Sequence, residues 1–312
     1  MPKLTEKQIE QARHIDLLTY LREREPQELV RVGPHTFSTK THGSMRINEN
    51  GLWNWFRGGF GGRSALDYLV KVQGMDFVPA VQQLCDTGLN LAQPEYTPEQ
   101  VPEKKPFCLP PTDRDITKVT DYLSGRGIQS AVIQTCVKQG ILLQTSQKGY
   151  SNCLFVGLDE TGTPKSGSIR GCGGNFRGDL SGSEKKYGFC IPARDPDSAI
   201  VAVFEAPIDA MSAASIRVLE SPKEWQNINY LSLGGLNYQA LDQYIQTHPN
   251  TRQILFCLDW DEPGRAFTEK LWNRYQGRNF LLEDAPPSFG KDYNDTLRWL
   301  VQKKKDTREQ ER

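Results

Sequence analysis

The sequence predicts an α/β chain: a C-terminal domain built on a parallel sheet of about four strands flanked by helices, preceded by an α+β segment and a small α+β N-terminal domain. Strands and helices alternate through the last third, and those strands are apolar without polar alternation. That pattern is expected when helices cover both faces of a parallel sheet. In the middle, Cys153–Leu158 and Pro164–Arg170 flank Asp159-Glu160-Thr161-Gly162, a hairpin signal. Residues 92–112 hold six prolines among polar neighbours, a linker composition that sets off the N-terminal stretch.

Taken in order, residues 8–23 read as an amphipathic helix through Ile9, Ala12, Ile15, Leu18 and Leu21. Short strands follow around Val30, Thr36–Ser38, Met45–Ile47 and Trp53–Phe56. Ser64 is placed to cap a helix from Ala65 to Val70, and a second helix covers Asp76 to Asp86. Beyond the linker, Asp115–Arg126 and Gln129–Gln139 form a helical pair broken at Gly125-Arg126-Gly127. Residues 171–187, rich in Gly, Ser and basic residues, read as a long loop. The strands of the last domain are Ala199–Phe204, Tyr230–Leu233, Gln253–Leu258 and Asn279–Glu283. Its helices are Pro207–Arg217, Asn237–His248, Pro263–Tyr275 and Asp292–Lys303. The boundaries implied are 1–92, a linker at 93–112, 113–195, 196–303 and a charged, frayed tail at 304–312.

Lys+Arg and Asp+Glu both number 38, so the net charge is zero and gives no global pull toward nucleic acid. The cysteines, seven in all, show no Cys-x-x-Cys spacing, which indicates reduced thiols rather than a disulfide framework or a zinc knuckle. No signal core and no run of 18 apolar residues is present, so a soluble, cytoplasmic protein with no membrane partner is expected.

The chemistry is concentrated where apolar runs end in acids. Ala199–Phe204 runs into Glu205, with Asp209 four residues on; Gln253–Leu258 runs into Asp259-Trp260-Asp261. A later Gly290-Lys291-Asp292-Tyr293-Asn294-Asp295 closes the series. Ligands of open parallel sheets sit beyond the carboxyl ends of the strands, so Glu205, Asp259 and Asp261 can converge across 54 residues. Asp-x-Asp in extended backbone puts both side chains on one side, where both can bind one cation. Gly264-Arg265 then lets the chain turn into a helix whose first amides favour phosphate. The alternative for each carboxylate alone is a helix cap.

This series resembles the Toprim domain of bacterial primases, topoisomerases and some nucleases. Val203–Ala210 resembles its first motif, Asp259–Arg265 its Asp-x-Asp-x-x-Gly motif, and Gly290–Asp295 the Lys-Asp-x-Asn-Asp segment that closes the domain in primases. The resemblance implies Glu205 as general acid/base and Asp259 and Asp261 as ligands of Mg²⁺ or Mn²⁺. Glu205, Asp209 and Asp292 would complete the metal site, with Arg265 and Lys291 near a nucleotide.

Upstream, Ser64–Leu69 and Ser44–Ile47 resemble the helix and strand that follow and form the zinc ribbon of primases. The four ligand positions of such a ribbon fall at His35, Ser38, Phe56 and Gly59, where only the histidine could bind metal, even with His42 nearby. A ribbon without zinc is therefore expected, its core refilled by Phe37, Trp53 and Phe56. Trp53, Trp55, Arg57 and Arg63 suit stacking on single-stranded bases, or else belong to that small core. Arg170, Arg177, Lys185 and Lys186 resemble the template- and nucleotide-binding face of a primase core, or else lie on a solvated loop.

A degenerate ribbon followed by Toprim is similar to primase-like proteins of conjugative plasmids and transposons. The resemblance implies RNA primer synthesis on single-stranded DNA from nucleoside triphosphates, with a helicase or other replication protein as partner. A Toprim nuclease and a non-catalytic nucleic-acid-binding accessory protein are the alternatives.

Overall fold

The computed structural model describes residues 4–55, 60–86, 107–147 and 149–310. The chain divides into two compact units, Met1–Gln100 and Val101–Arg312.

The first unit opens with α1 (Glu6–His14) and α2 (Leu17–Arg24), not with one continuous helix. The break has a local cause. Asp16 caps α2 by accepting the Thr19 amide at 2.9 Å, and the Ile15 carbonyl leaves the helix to take the Ala65 amide at 2.7 Å. Five antiparallel strands follow in sheet order among the described residues: β1 (Leu29–Gly33), β2 (Thr36–Thr39), β3 (Met45–Asn48), β4 (Trp53–Trp55) and β5 (Phe60–Gly62). Two helices close the unit, α3 (Ala65–Lys71), capped by Ser64, and α4 (Phe77–Asp86). Ile15, Leu21, Met45, Ile47 and Leu69 are fully buried in its core.

The second unit begins with α5 (Thr117–Gly125) and α6 (Ser130–Lys138). An antiparallel sheet follows in the order β6 (Leu142–Gln147), β7 (Tyr150–Leu158), β8 (Pro164–Gly171) and β9 (Arg177–Asp179). The hairpin between β7 and β8 is the one the sequence predicts, its turn held by Asp159 Oδ1 accepting the Thr161 and Thr163 amides. The expected long loop at 171–187 is corrected: Arg177–Asp179 pair with Ser168–Arg170 as an edge strand. A turn tied by the Gly171 amide and the Phe176 carbonyl brings the chain back, and three residues are too few to show a period.

The remaining elements are β10 (Cys190–Ile191), β11 (Ile200–Phe204), α7 (Pro207–Glu220), β12 (Asn229–Ser232), α8 (Gln239–Thr247), β13 (Gln253–Phe256), α9 (Glu262–Tyr275), β14 (Leu281–Asp284) and α10 (Tyr293–Gln310). Their sheet has the order β10-β12-β11-β13-β14, parallel throughout except for the antiparallel edge strand β10, which the sequence reading missed. Val201, Val203, Phe204, Ile254 and Phe256 are fully buried, each worth about 1.5–3 kcal/mol of hydrophobic stabilisation. The charged tail is also corrected, since α10 continues to Gln310 rather than fraying from residue 304. None of the described helices is long and apolar enough to cross a membrane.

Candidate active site

The central strands β11 and β13 are parallel neighbours, in a register that pairs Val203 with Phe256. The Cys257 amide extends that ladder to the Val203 carbonyl at 2.9 Å. Glu205 and Asp259 therefore leave the sheet side by side at its carboxyl edge, as the sequence expects. A Cβ at Gly264 would collide with the Asp259 carbonyl oxygen, so glycine alone permits α9 to start this close. Asp261 caps that helix, its Oδ1 accepting the Gly264 amide at 2.9 Å. The capping reading of this residue is realised, and its Oδ2 takes no part in the cap.

A second loop meets the first. The Trp260 amide donates to the Lys291 carbonyl at 2.7 Å, and Gly290 turns the chain with φ of 74°. Lys291 Nζ lies 3.0 Å from Asp261 Oδ2 and 3.4 Å from Asp259 Oδ2. The two carboxylates of the Asp-x-Asp pair thus do face one point. Asp292 Oδ1 caps α10 by accepting the Asp295 amide at 2.8 Å. Asp209, in the first turn of α7, is buried and accepts the Asn294 amide at 3.3 Å.

Burial and mutual repulsion dominate the electrostatics. Burial, then the charges of Asp259 and Asp261, pushes Glu205 up to about 7, against the pull of Lys291 and Arg177. Asp259 is raised by burial despite Lys291. Asp209 is held well above the usual carboxylate range by burial and by Asp292 and Asp259. Asp261 is also pushed up by burial, but the Gly264 amide and Lys291 outweigh this and leave it lowered.

Glu205 forms part of the wall of a cavity of about 380 Å³ shared with Phe155, Arg170, Arg177, Pro207 and Gly235. Arg177 is exposed on the edge strand β9 and contributes positive potential at Glu205. Arg170 donates from Nε to the Tyr122 hydroxyl at 3.2 Å. The other expected contacts are more scattered. Lys185 and Lys186 pair with Asp179 and Glu184 on the surface. Arg265 makes a two-oxygen contact with Asp284 at 2.7 and 2.8 Å and lies over the Trp260 ring, so its charge is already engaged.

In the first unit, Trp53 is only 4% exposed and donates from Nε1 to the Ser64 carbonyl at 3.2 Å. It is a core residue and offers no face for stacking. Trp55 packs against His42 at 4.7 Å, and Arg63 lines a separate cavity with Arg13 and Lys71. Arg57, with Phe56 and Gly59, lies outside the described residues. His35 is paired with Glu49 at 2.8 Å, and Ser38 is buried with its hydroxyl near backbone carbonyls.

Sequence reasoning missed a polar network behind the carboxylates. Asn294 donates from Nδ2 to Ser212 Oγ and to the Arg126 carbonyl, and its Oδ1 accepts Arg126 Nη1 at 2.8 Å. Arg126 Nε in turn donates to the Tyr122 hydroxyl at 2.9 Å. Asn294 stands inside the Lys-Asp-x-Asn-Asp segment, which was the available signal; Tyr122 carried none.

Residues 202–297, which contain all five carboxylates, match a family model described as Toprim-like. The chain carries a Toprim-like domain. Ahead of it, residues 121–196 match a family described as a protein of unknown function (DUF3991). No curated protein matches the sequence. Among solved structures, the chain is similar to the primase fragment of the bacteriophage T7 primase-helicase protein, with TM-score 0.42 and 16% identity over 58% of this chain and 69% of that one. The zinc-binding and RNA polymerase domains of Aquifex aeolicus primase align with TM-score 0.41 and 14% identity, over 96% of this chain and 85% of that one. The Escherichia coli primase catalytic core aligns with TM-score 0.41 and 17% identity, over 59% and 69%. Likeness this weak assigns no activity to the chain.

Proposed function

We propose that the protein is a primase-like nucleotidyltransferase that makes short RNA primers on single-stranded DNA, using Mg²⁺ or Mn²⁺, in the replication of a mobile element such as a plasmid. The observation that carries this reading is the gathering of Glu205, Asp259 and Asp261 at one sheet edge, with Glu205 in the wall of a cavity that Arg170 and Arg177 also line.

The donor set suits a divalent ion of this kind. Repelling carboxylates are gathered at one edge, with Lys291 and Arg177 acting against the charge. Among the described residues, no three His, Cys, Asp or Glu side chains form a metal cage. Mg²⁺ needs none, because it keeps several waters and uses one or two carboxylates together with substrate phosphates. Asp259 and Asp261 would hold it, supported by Asp209 and Asp292. When bound, such a cation stabilises the negative charge that develops on a transferring phosphoryl group.

The protein's own groups supply the rest. Glu205, raised to about 7 in the metal-free protein, is placed to take or return a proton. Arg170 and Arg177 offer fork-shaped donors to phosphates. Asn294 positions Asp209 from behind. A helicase or other replication protein would supply unwinding.

The test gives the purified protein single-stranded DNA, labelled nucleoside triphosphates and Mg²⁺ or Mn²⁺. New short labelled oligonucleotides, lost in Glu205→Gln, are expected. Cut DNA instead of primers would replace this reading with a Toprim nuclease. Binding with neither product would leave an accessory protein.

A further inference from the structure

Lys291 places its ammonium between the two carboxylates to which the proposed function assigns a cation. Its ammonium bridges one oxygen each of Asp259 and Asp261, at 3.4 and 3.0 Å. Asp261 commits its other oxygen to the Gly264 amide, so Oδ2 is the oxygen it has to offer. The Asp259 side chain is only 12% exposed, whereas that of Lys291 is 57% exposed. The ammonium therefore closes the solvent side of the pair.

The backbone of Lys291 is pinned while its side chain is not. Its carbonyl accepts the Trp260 amide, and its own amide donates to Asp295 Oδ2 at 3.1 Å. The ammonium sits at the end of a flexible four-carbon stem and makes point contacts rather than the fork of an arginine. It can swing into solvent without moving either loop. While it stays, it occupies both oxygens and its positive charge opposes an arriving cation.

We propose that Lys291 is a built-in counter-ion of the Asp259–Asp261 pair, which holds the metal-free site together and is displaced by the divalent cation. This rests on the metal-dependent reading of the site. The lysine lowers cation affinity below what the carboxylates alone would give, and it keeps their repulsion from opening the edge when no cation is present. Displacement then frees an ammonium beside the site.

Mn²⁺ binding followed by the electron paramagnetic resonance signal of the free ion tests this without any assay of activity. Lys291→Met, which keeps the stem and removes the charge, is expected to bind Mn²⁺ about tenfold more tightly than wild type. Its metal-free form is expected to melt at lower temperature and to gain more from saturating Mn²⁺. Lys291→Arg, which keeps the charge, is expected to show no tightening. Misfolding would weaken binding, so a gain in affinity cannot be an artefact of it. Equal or weaker binding in Lys291→Met, with binding still lost in Asp259→Asn/Asp261→Asn, overturns the counter-ion role and leaves the metal site standing. If neither wild type nor Lys291→Met binds Mn²⁺, both ideas fall.

Discussion

The two regions where the sequence invites a binding role, the aromatic strands of the first unit and the acidic edge of the second, treat their functional-looking groups in opposite ways. Trp53 is sunk into a core and its only polar hydrogen is satisfied by the Ser64 carbonyl. Glu205, Asp209 and Asp259 are buried or half-buried too, yet their charges repel one another and are raised above their ordinary range. Burial of a satisfied group contributes to stability; crowding like charges at a buried edge costs stability and points to chemistry. In the second unit the carboxylates are held in an arrangement that Lys291 offsets only in part, since Glu205 and Asp259 stay raised against its pull.

The contrast is sharpest if its two sides fail differently. Asp259→Ala with Asp261→Ala should lower metal-dependent activity by at least about 1,000-fold while circular dichroism shows the fold intact. Retained activity would sink the mechanism. Trp53→Ala should do the reverse, destabilising the first unit by about 3–5 kcal/mol in urea unfolding. A loss of DNA affinity in Trp53→Ala without that destabilisation would return the ring to a binding role. Asn294→Ala lies between the two. It strips partners from Arg126 and Ser212 at a buried position, so a stability loss of about 1–3 kcal/mol accompanied by reduced activity is expected.

Two smaller effects concern charge alone. Folded Glu205 keeps its proton up to about pH 7, whereas the unfolded chain releases it near 4.5. Its contribution to the stability of the metal-free protein is therefore full below pH 4.5 and lost as pH rises through 7. Melting temperatures across that window should decline in wild type and decline less steeply in Glu205→Gln, where Asp209 and Asp259 still titrate upward of their ordinary range. Arg177→Ala, at the exposed rim of the cavity, should raise the nucleotide KM by about fivefold with kcat little changed.

Much of the acidic edge was legible because it is written in local pattern. An apolar strand that ends in an acid announces where that acid goes, and the Gly264 and Gly290 turns follow the same grammar. The network behind the edge was not legible. Arg126 and Asn294 are 168 residues apart, and nothing in either neighbourhood names the other. Strands β9 and β10 were missed because two or three residues cannot display a period, so only their partners define them. The aromatic strands stayed ambiguous for a different reason: Trp and Arg side by side describe a stacking surface and a small core equally well.

By itself, the sequence determined the parallel α/β order, the turn glycines and which carboxylates follow the strand ends, since these depend on periodicity, backbone freedom and side-chain chemistry within a few residues. Only the tertiary structure decided that Lys291 closes on Asp259 and Asp261, that Arg177 lines the same cavity as Glu205 from an edge strand, and which of its two readings Trp53 takes. Those outcomes depend on register and on which distant surfaces are buried together, and both are set by packing over the whole chain.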